Sequence, residues 1–308
     1  MGCAQPGGAR APGAPLTGYF ERLLNRFGPQ GWWPARTRME VVLGAILTQN
    51  TSWNNAALAL AELRARRLLR IDTLRRVSQD ELETAIRPSG FFRQKAAAIK
   101  GFIRWLDENY AGSLAKLFSA STGRVRGQML ELRGLGPETV DAILLYAGSK
   151  PWFVADVYTR RVLSRHGWLD ADAGYAEAQA LLHRELPRDH RLFNEFHALL
   201  VEVGKRFCTR SAPDCARCPL RDYLPTDVVA AGLPRQHPWR RKAASTGRAR
   251  RTLTGHGPFC YYLVNARIGP QSLPRAPSKA ISDQSTESLL EPDTHCRRVG
   301  PARAAGWH

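Results

Sequence analysis

The chain has 308 residues, 44% of them apolar, and a formal charge of +18, so it can bury the cores of two modest domains and is no disordered polymer. A sequence pI near 10.4 points to a polyanionic partner, with DNA, RNA and an anionic membrane all satisfying the charge alone. No apolar run approaches the ~18 to 20 residues of a membrane span, and the Gly-, Ala- and Pro-rich start lacks the apolar centre of an export signal. The expectation is an unexported protein without a membrane partner.

Residues 1–15 read as a flexible leader. Residues 16–27 carry Tyr19, Phe20, Leu23, Leu24 and Phe27 at helical spacing, which predicts a helix. Gly28-Pro29-Gln30-Gly31 breaks it, and Trp32-Trp33-Pro34 follows, with two adjacent indoles pointing in different directions. A core-packing turn and the wall of a ligand pocket fit this stretch equally well. Residues 38–47 are apolar on nearly every side, the pattern of a helix buried in a bundle. The polar run Thr48-Gln49-Asn50-Thr51-Ser52-Trp53 then intervenes. Thr51 or Ser52 suits an N-cap for a helix over 54–66, and a second reading turns Gln49 and Trp53 toward a DNA groove.

Ser78-Gln79-Asp80-Glu81 fits a capping box, starting a helix that reaches about Ile86 and stops at Pro88-Ser89-Gly90. The next helix runs from Phe91 to about Tyr110, with Ala96, Ile99, Phe102, Ile103 and Leu106 expected inward and Lys95, Lys100 and Arg104 outward. Short helices follow over 114–118 and 125–132, and longer ones over 157–166, 175–186 and 191–207. No alternating strand pattern of useful length occurs, so the fold class is all-α. Residues 226–308 lose apolar periodicity and have the composition of a disordered basic tail. Their 13 Lys and Arg against 5 Asp and Glu carry +8 of the +18, which leaves +10 on residues 1–225. The basic character therefore does not rest on the tail.

At the centre lies Leu132-Arg133-Gly134-Leu135-Gly136-Pro137-Glu138-Thr139. A helix, a Gly-x-Gly turn and a second helix can aim consecutive backbone N–H groups at a phosphate, and the glycines let a nucleic-acid backbone approach closely. Such a clamp grips DNA without reading its sequence, although an ordinary helix–helix turn has the same pattern. Asp156 follows the apolar Trp152-Phe153-Val154-Ala155 and precedes a helix, the place of a plain N-cap. A carboxylate held ionised there and facing a cleft also suits the stabilisation of an oxocarbenium-like sugar, or the activation of water at C1′.

The hairpin, then Val154-Ala155-Asp156-Val157-Tyr158-Thr159-Arg160-Arg161, then Cys208-x6-Cys215-x2-Cys218-Pro219, occur in the order and spacing of the helix-hairpin-helix DNA glycosylases of the endonuclease III superfamily. Residues 16–225 resemble that family. The resemblance implies two helical domains with a DNA cleft between them. One is a six-helix barrel over 38–150 with the helix-hairpin-helix; the other combines 16–37 with 151–225 and carries the cysteine loop. It implies a partner, double-stranded DNA containing a damaged base, bent so that the nucleotide flips out. Asp156 falls on the catalytic aspartate and Gln49 on the residue that enters the gap left by the flipped base. Leu132, Gly134, Leu135, Gly136 and Thr139 belong to the phosphate-holding hairpin. A monomer in the cytoplasm, associated with the nucleoid, is the expectation.

Two departures refine this. Bifunctional members carry a lysine in the hairpin that forms a Schiff base and leads to strand cleavage; this chain has Glu138 there, which predicts a monofunctional glycosylase. Glu138, Trp32-Trp33-Pro34 and the run ending at Trp53 are most similar to the 3-methyladenine DNA glycosylase III branch, implying a pocket of Trp32, Trp33, Pro34 and Trp53 for alkylated purines. Cluster-bearing members use Cys-x6-Cys-x2-Cys-x5-Cys, and here the fourth position is Leu224. Cys208, Cys215 and Cys218 thus form an incomplete ligand set for an iron–sulfur cluster. The alternatives are an endonuclease III-type glycosylase and abasic-site lyase on oxidised pyrimidines, and, from another class, a non-catalytic module that binds damaged DNA.

Overall fold

A computed structural model describes residues 15–225. The expectations for the leader and for the tail over 226–308 fall outside the described residues, apart from Pro15. Among the described residues there is no strand, and the chain is all-α as the sequence predicts. The helices are α1 (Leu16–Phe27), α2 (Arg38–Leu47), α3 (Trp53–Ala65), α4 (Ile71–Arg76), α5 (Gln79–Ile86), α6 (Phe92–Tyr110) and α7 (Leu114–Ser119). After them come α8 (Thr122–Leu130), α9 (Pro137–Ala142), α10 (Val157–Arg165), α11 (Tyr175–Glu185) and α12 (His190–Arg206). α4 is the element that apolar spacing did not reveal, because a six-residue helix with one buried side chain, Leu74, leaves almost no period to read.

Local chemistry starts the helices where it was expected to. Ser52 accepts from the Asn55 amide at 3.3 Å and Ser78 from the Glu81 amide at 3.1 Å, which satisfies first-turn donors of α3 and α5. Every residue of α2 from Met39 to Leu47 is buried, and this helix packs against α3, α6, α9 and the turn after α9. α12 runs along α10 and also touches α1. One continuous buried cluster extends from Leu16 to Leu220.

Lys95 corrects the expectation for α6. It is 3% exposed, and its Nζ donates to Leu47 O at 2.8 Å and Ser89 O at 2.6 Å. The series 95, 99, 102, 106 is a single helical face, so position places Lys95 inward while residue type suggested outward. Its ammonium ties the end of α2 to the loop before α6. Lys100 is half-buried with Nζ 3.0 Å from Leu74 O, and Arg104 is exposed as expected.

α9 does not end as a simple helix. Residues Ile143–Ala147 widen into a π-turn, closed by the Gly148 amide on Ile143 O at 3.1 Å. This turn carries Tyr146.

Candidate active site

The hairpin between α8 and α9 is built as its glycines require. Gly134 has φ +89°, the left-handed region, and a Cβ there would sit 3.1 Å from the Ala98 Cβ. Leu135 is buried beneath the turn, while Gly134 and Gly136 are exposed; Leu132 packs half-buried on the core. Gln49, 85 residues away, reaches this turn: its Nε2 donates to Gly134 O at 2.9 Å and to Thr139 Oγ1 at 2.8 Å. Thus the end of α2 and the hairpin, singled out separately in sequence, form one surface. Phe91, 60% exposed with φ +45°, stands at the start of α6. Through Lys95 the same helix is fastened to the end of α2.

A cluster of aromatic rings lies beside α2. The Trp33 ring is 5.1 Å from Trp53 at 88° and 5.2 Å from Tyr146 at 45°, and Trp32 meets Trp33 edge-on at 6.2 Å. Gly44 makes this possible, since a Cβ there would approach the Trp33 indole to 3.0 Å. The Nε1 atoms of Trp32 and Trp33 are buried without a hydrogen-bond partner. Pro34 is exposed at the edge. Lys205 is not a freely solvated lysine; its Nζ stands 5.6 Å from the Trp32 ring centre, and burial lowers its pKa against the charges of Glu202 and Asp156.

Asp156 caps α10, accepting from the Thr159 amide at 2.8 Å through Oδ1. It is 2% exposed. Its other oxygen, Oδ2, lies 3.6 Å from His197 Nε2, and neither atom has a hydrogen-bond partner. Burial opposes its ionisation, but the imidazole and the Thr159 contacts prevail and hold its pKa below the ordinary value. His197 also meets the Tyr146 hydroxyl through Nδ1. Tyr146 therefore touches both the indoles and the histidine beside Asp156. Sequence reasoning missed both: His197 and Tyr146 stand at apolar-looking positions of helical segments, and no local signal separates them from core residues.

Glu138 is half-buried in the first turn of α9, and its charge reaches the buried phenol of Tyr175. Tyr175 donates to Asp141 Oδ2 at 2.8 Å, and Arg126 Nε and Gln179 Nε2 complete the shell of that fully buried carboxylate. These contacts join the hairpin helix to α8 and α11.

Cys208, Cys215 and Cys218 line one pocket, together with Arg165, His166, Arg221 and Leu224. Arg165 Nη1 donates to Cys208 Sγ at 3.1 Å and Thr209 O at 2.8 Å, while Arg161 Nε donates to Cys208 O at 2.6 Å. Burial pushes the Cys218 thiol up to about 11. An apolar side chain, Leu224, lines the pocket where the four-cysteine pattern has its last thiol. Among the described residues no group of three or more His, Cys, Asp and Glu is arranged to hold a metal ion. The donor set does not fit a four-thiolate cluster.

Residues 43–188 match the model of the HhH-GPD superfamily base excision DNA repair proteins. The chain is 41% identical over 206 residues to the putative DNA repair glycosylase MJ1434 of Methanocaldococcus jannaschii, covering 66% of this chain and 93% of that protein. This chain belongs to the HhH-GPD superfamily. It is a base-excision DNA glycosylase of the endonuclease III superfamily. Endonuclease III of Thermotoga maritima is 27% identical over 59% of this chain and 80% of its own. Among solved structures, a trapped endonuclease III–DNA covalent intermediate shares the fold, with a TM-score of 0.57 at 20% identity over 68% of this chain and 93% of that one. The H. pylori 3-methyladenine DNA glycosylase bound to 1,N6-ethenoadenine aligns with a TM-score of 0.55 at 25% identity, over 62% and 96%. As a glycosylase of this superfamily, the chain acts on DNA. No helix of the described residues is long and apolar enough to cross a membrane.

Proposed function

We propose that this glycosylase is monofunctional and hydrolyses the N-glycosidic bond of alkylated purines in double-stranded DNA. The observation that carries the reading is the aromatic cluster of Trp33, Trp53 and Tyr146, joined through His197 to the carboxylate of Asp156. A purine alkylated at N3 or N7 is positively charged, stacks well on electron-rich ring faces and is already a good leaving group. The likeness to a 3-methyladenine glycosylase holding an etheno-purine points the same way.

In this mechanism the barrel over 38–150 and the helices of 16–37 and 151–225 form the two walls of the DNA cleft, and one monomer suffices. The Leu132–Gly136 hairpin and Thr139 hold backbone phosphate, and Gln49 fills the space left by the flipped nucleotide. The base enters between Trp32, Trp33, Pro34 and Trp53. Asp156 stabilises the cationic sugar as the C1′–N bond breaks, with the bonding pair leaving on the base and neutralising its alkyl-induced charge. Water adds its oxygen to C1′ and gives its proton to Asp156. Glu138, in the place of the lyase lysine, offers no amine for a Schiff base. The cysteine loop, pinned by Arg161 and Arg165, is structural on this reading and takes no part in the step.

The test is incubation with duplexes carrying methylated, deaminated or oxidised bases, scoring free base and strand breaks separately, with borohydride present in a parallel series. The expected result is free methylated purine with no strand break and no covalent adduct. Efficient trapping, or release confined to oxidised pyrimidines, would favour the endonuclease III-type reading. Replacement of the pocket wall, Trp33→Ala, is expected to lower release of 3-methyladenine at least about tenfold through lost stacking; unchanged release would move the pocket elsewhere.

A further inference from the structure

We infer that His197 is the positioning residue for Asp156, and that Tyr146 fixes its tautomer, so that a proton-ordered chain runs from the aromatic wall to the carboxylate. This rests on Asp156 being the catalytic carboxylate. The geometry is specific. One oxygen of Asp156 is committed to the Thr159 amide, and the other faces only His197 Nε2, 3.6 Å away, with neither atom otherwise partnered. His197 is 3% exposed, so no bulk water competes for its nitrogens. Its second nitrogen, Nδ1, meets the Tyr146 hydroxyl.

The direction of the chain follows from Tyr146. Burial, reinforced by the negative charges of Asp156 and Glu195, keeps its phenol protonated well above the usual range. A hydroxyl donating to Nδ1 leaves the proton of a neutral imidazole on Nε2, aimed at Asp156 Oδ2. The opposite tautomer would set a nitrogen lone pair against the anionic oxygen. His197 Nε2–H therefore favours the ionised carboxylate and holds the plane of its free oxygen, which the reaction needs for the cationic sugar. The other groups that bear on Asp156 are Lys205 from α12 and Thr159 from α10, and Glu195 bears on Tyr146. Because Tyr146 also packs against Trp33, the ring that backs the proposed pocket wall is the ring that orders the histidine.

The experiment is a single-turnover pH–rate profile on a duplex containing N7-methylguanine, with binding to an abasic-site duplex measured alongside. In His197→Leu the rate is expected to fall about tenfold to a hundredfold, because the buried carboxylate loses the ring N–H that faces its Oδ2 across 3.6 Å. Its acid limb should move to higher pH, with abasic-duplex binding within about twofold of wild type. His197→Gln, which can return an N–H near Oδ2, should recover much of the rate. Tyr146→Phe removes one oxygen and keeps the ring, so it carries the test if His197→Leu does not fold; its acid limb should move the same way by less. An acid limb unmoved in His197→Leu, or in Tyr146→Phe where His197→Leu does not fold, overturns the inference, as does a loss seen in binding alone. Asp156→Asn separates the two levels. If it keeps base release, the catalytic reading of Asp156 falls; if it is inactive while the histidine and tyrosine variants keep the wild-type profile, only the positioning role falls.

Discussion

Lys95 illustrates how one residue couples position to chemistry. It occupies the apolar stripe of α6, and its ammonium is accommodated by two carbonyls rather than a carboxylate. Burial depresses its pKa from 10.5 to about 8. Between those values the unfolded chain binds more protons than the folded one, so this group's contribution to stability rises with pH from about 8 to 10.5. Urea unfolding of the wild type and Lys95→Met should therefore diverge over that window, the wild type gaining relative to the variant; a pH-independent difference would contradict the burial argument. The same residue fastens the end of α2, where Gln49 begins its reach to Gly134 and Thr139. Asp156 is equally double in use. Its capping role was legible because Asp before a helix is a local pattern, whereas its neighbour on α12, 41 residues later, was not.

At the level of elements, the relation of α10 to α12 decides where Asp156 sits. Gly204 permits it: a Cβ there would stand 2.4 Å from Tyr158 Cδ1 and 2.8 Å from its Cβ, with Tyr158 in the first turn that Asp156 caps. Gly204→Val should force the helices apart, costing about 1 to 3 kcal/mol in the manner of an overpacked core. Base release should then fall by more than the loss of folded protein explains. Thermal melting with activity measured well below the transition checks this, and wild-type activity in a destabilised variant would show that the spacing does not matter. Helix starts, by contrast, were readable one by one from Ser52, Ser78 and Asp156, because a cap is satisfied within three residues. α4 and the π-turn were not, since each is too short or too irregular to carry a period.

For the whole molecule, two histidines, His166 buried and His183 half-buried, shape the response to acid. His166, 4% exposed and hydrogen-bonded to Tyr19, is held at about 4 mainly by burial; His183 is held at about 4 by burial and by Arg188 and Arg126. Both pKa values are lowered from 6.5, so the unfolded chain takes up protons first as pH falls. The contribution of these two groups to stability is complete above about 6.5 and is lost on the way down to about 4. The urea midpoint should drop between pH 7 and pH 4.5, and His166→Gln should show a shallower drop. Equal slopes in the two proteins would remove His166 from the account. His166 closes the core beside the cysteine pocket, so acid should loosen that region first.

By itself the sequence determined the all-α class, most helix limits, the hairpin, the capping carboxylate and the family, because each rests on contacts within a few residues or on ordered motifs. It also determined that Glu138 and Leu224 depart from the lyase and cluster patterns, since those are matters of residue type. Only the tertiary structure decided that Gln49 joins the hairpin, that Lys95 is buried, and that Tyr146 and His197 link the indoles to Asp156. Those pairings join residues 41 to 113 positions apart, or, for Lys95, 48 from its carbonyl. They depend on which helix faces pack together, and local spacing along a chain carries no record of that choice.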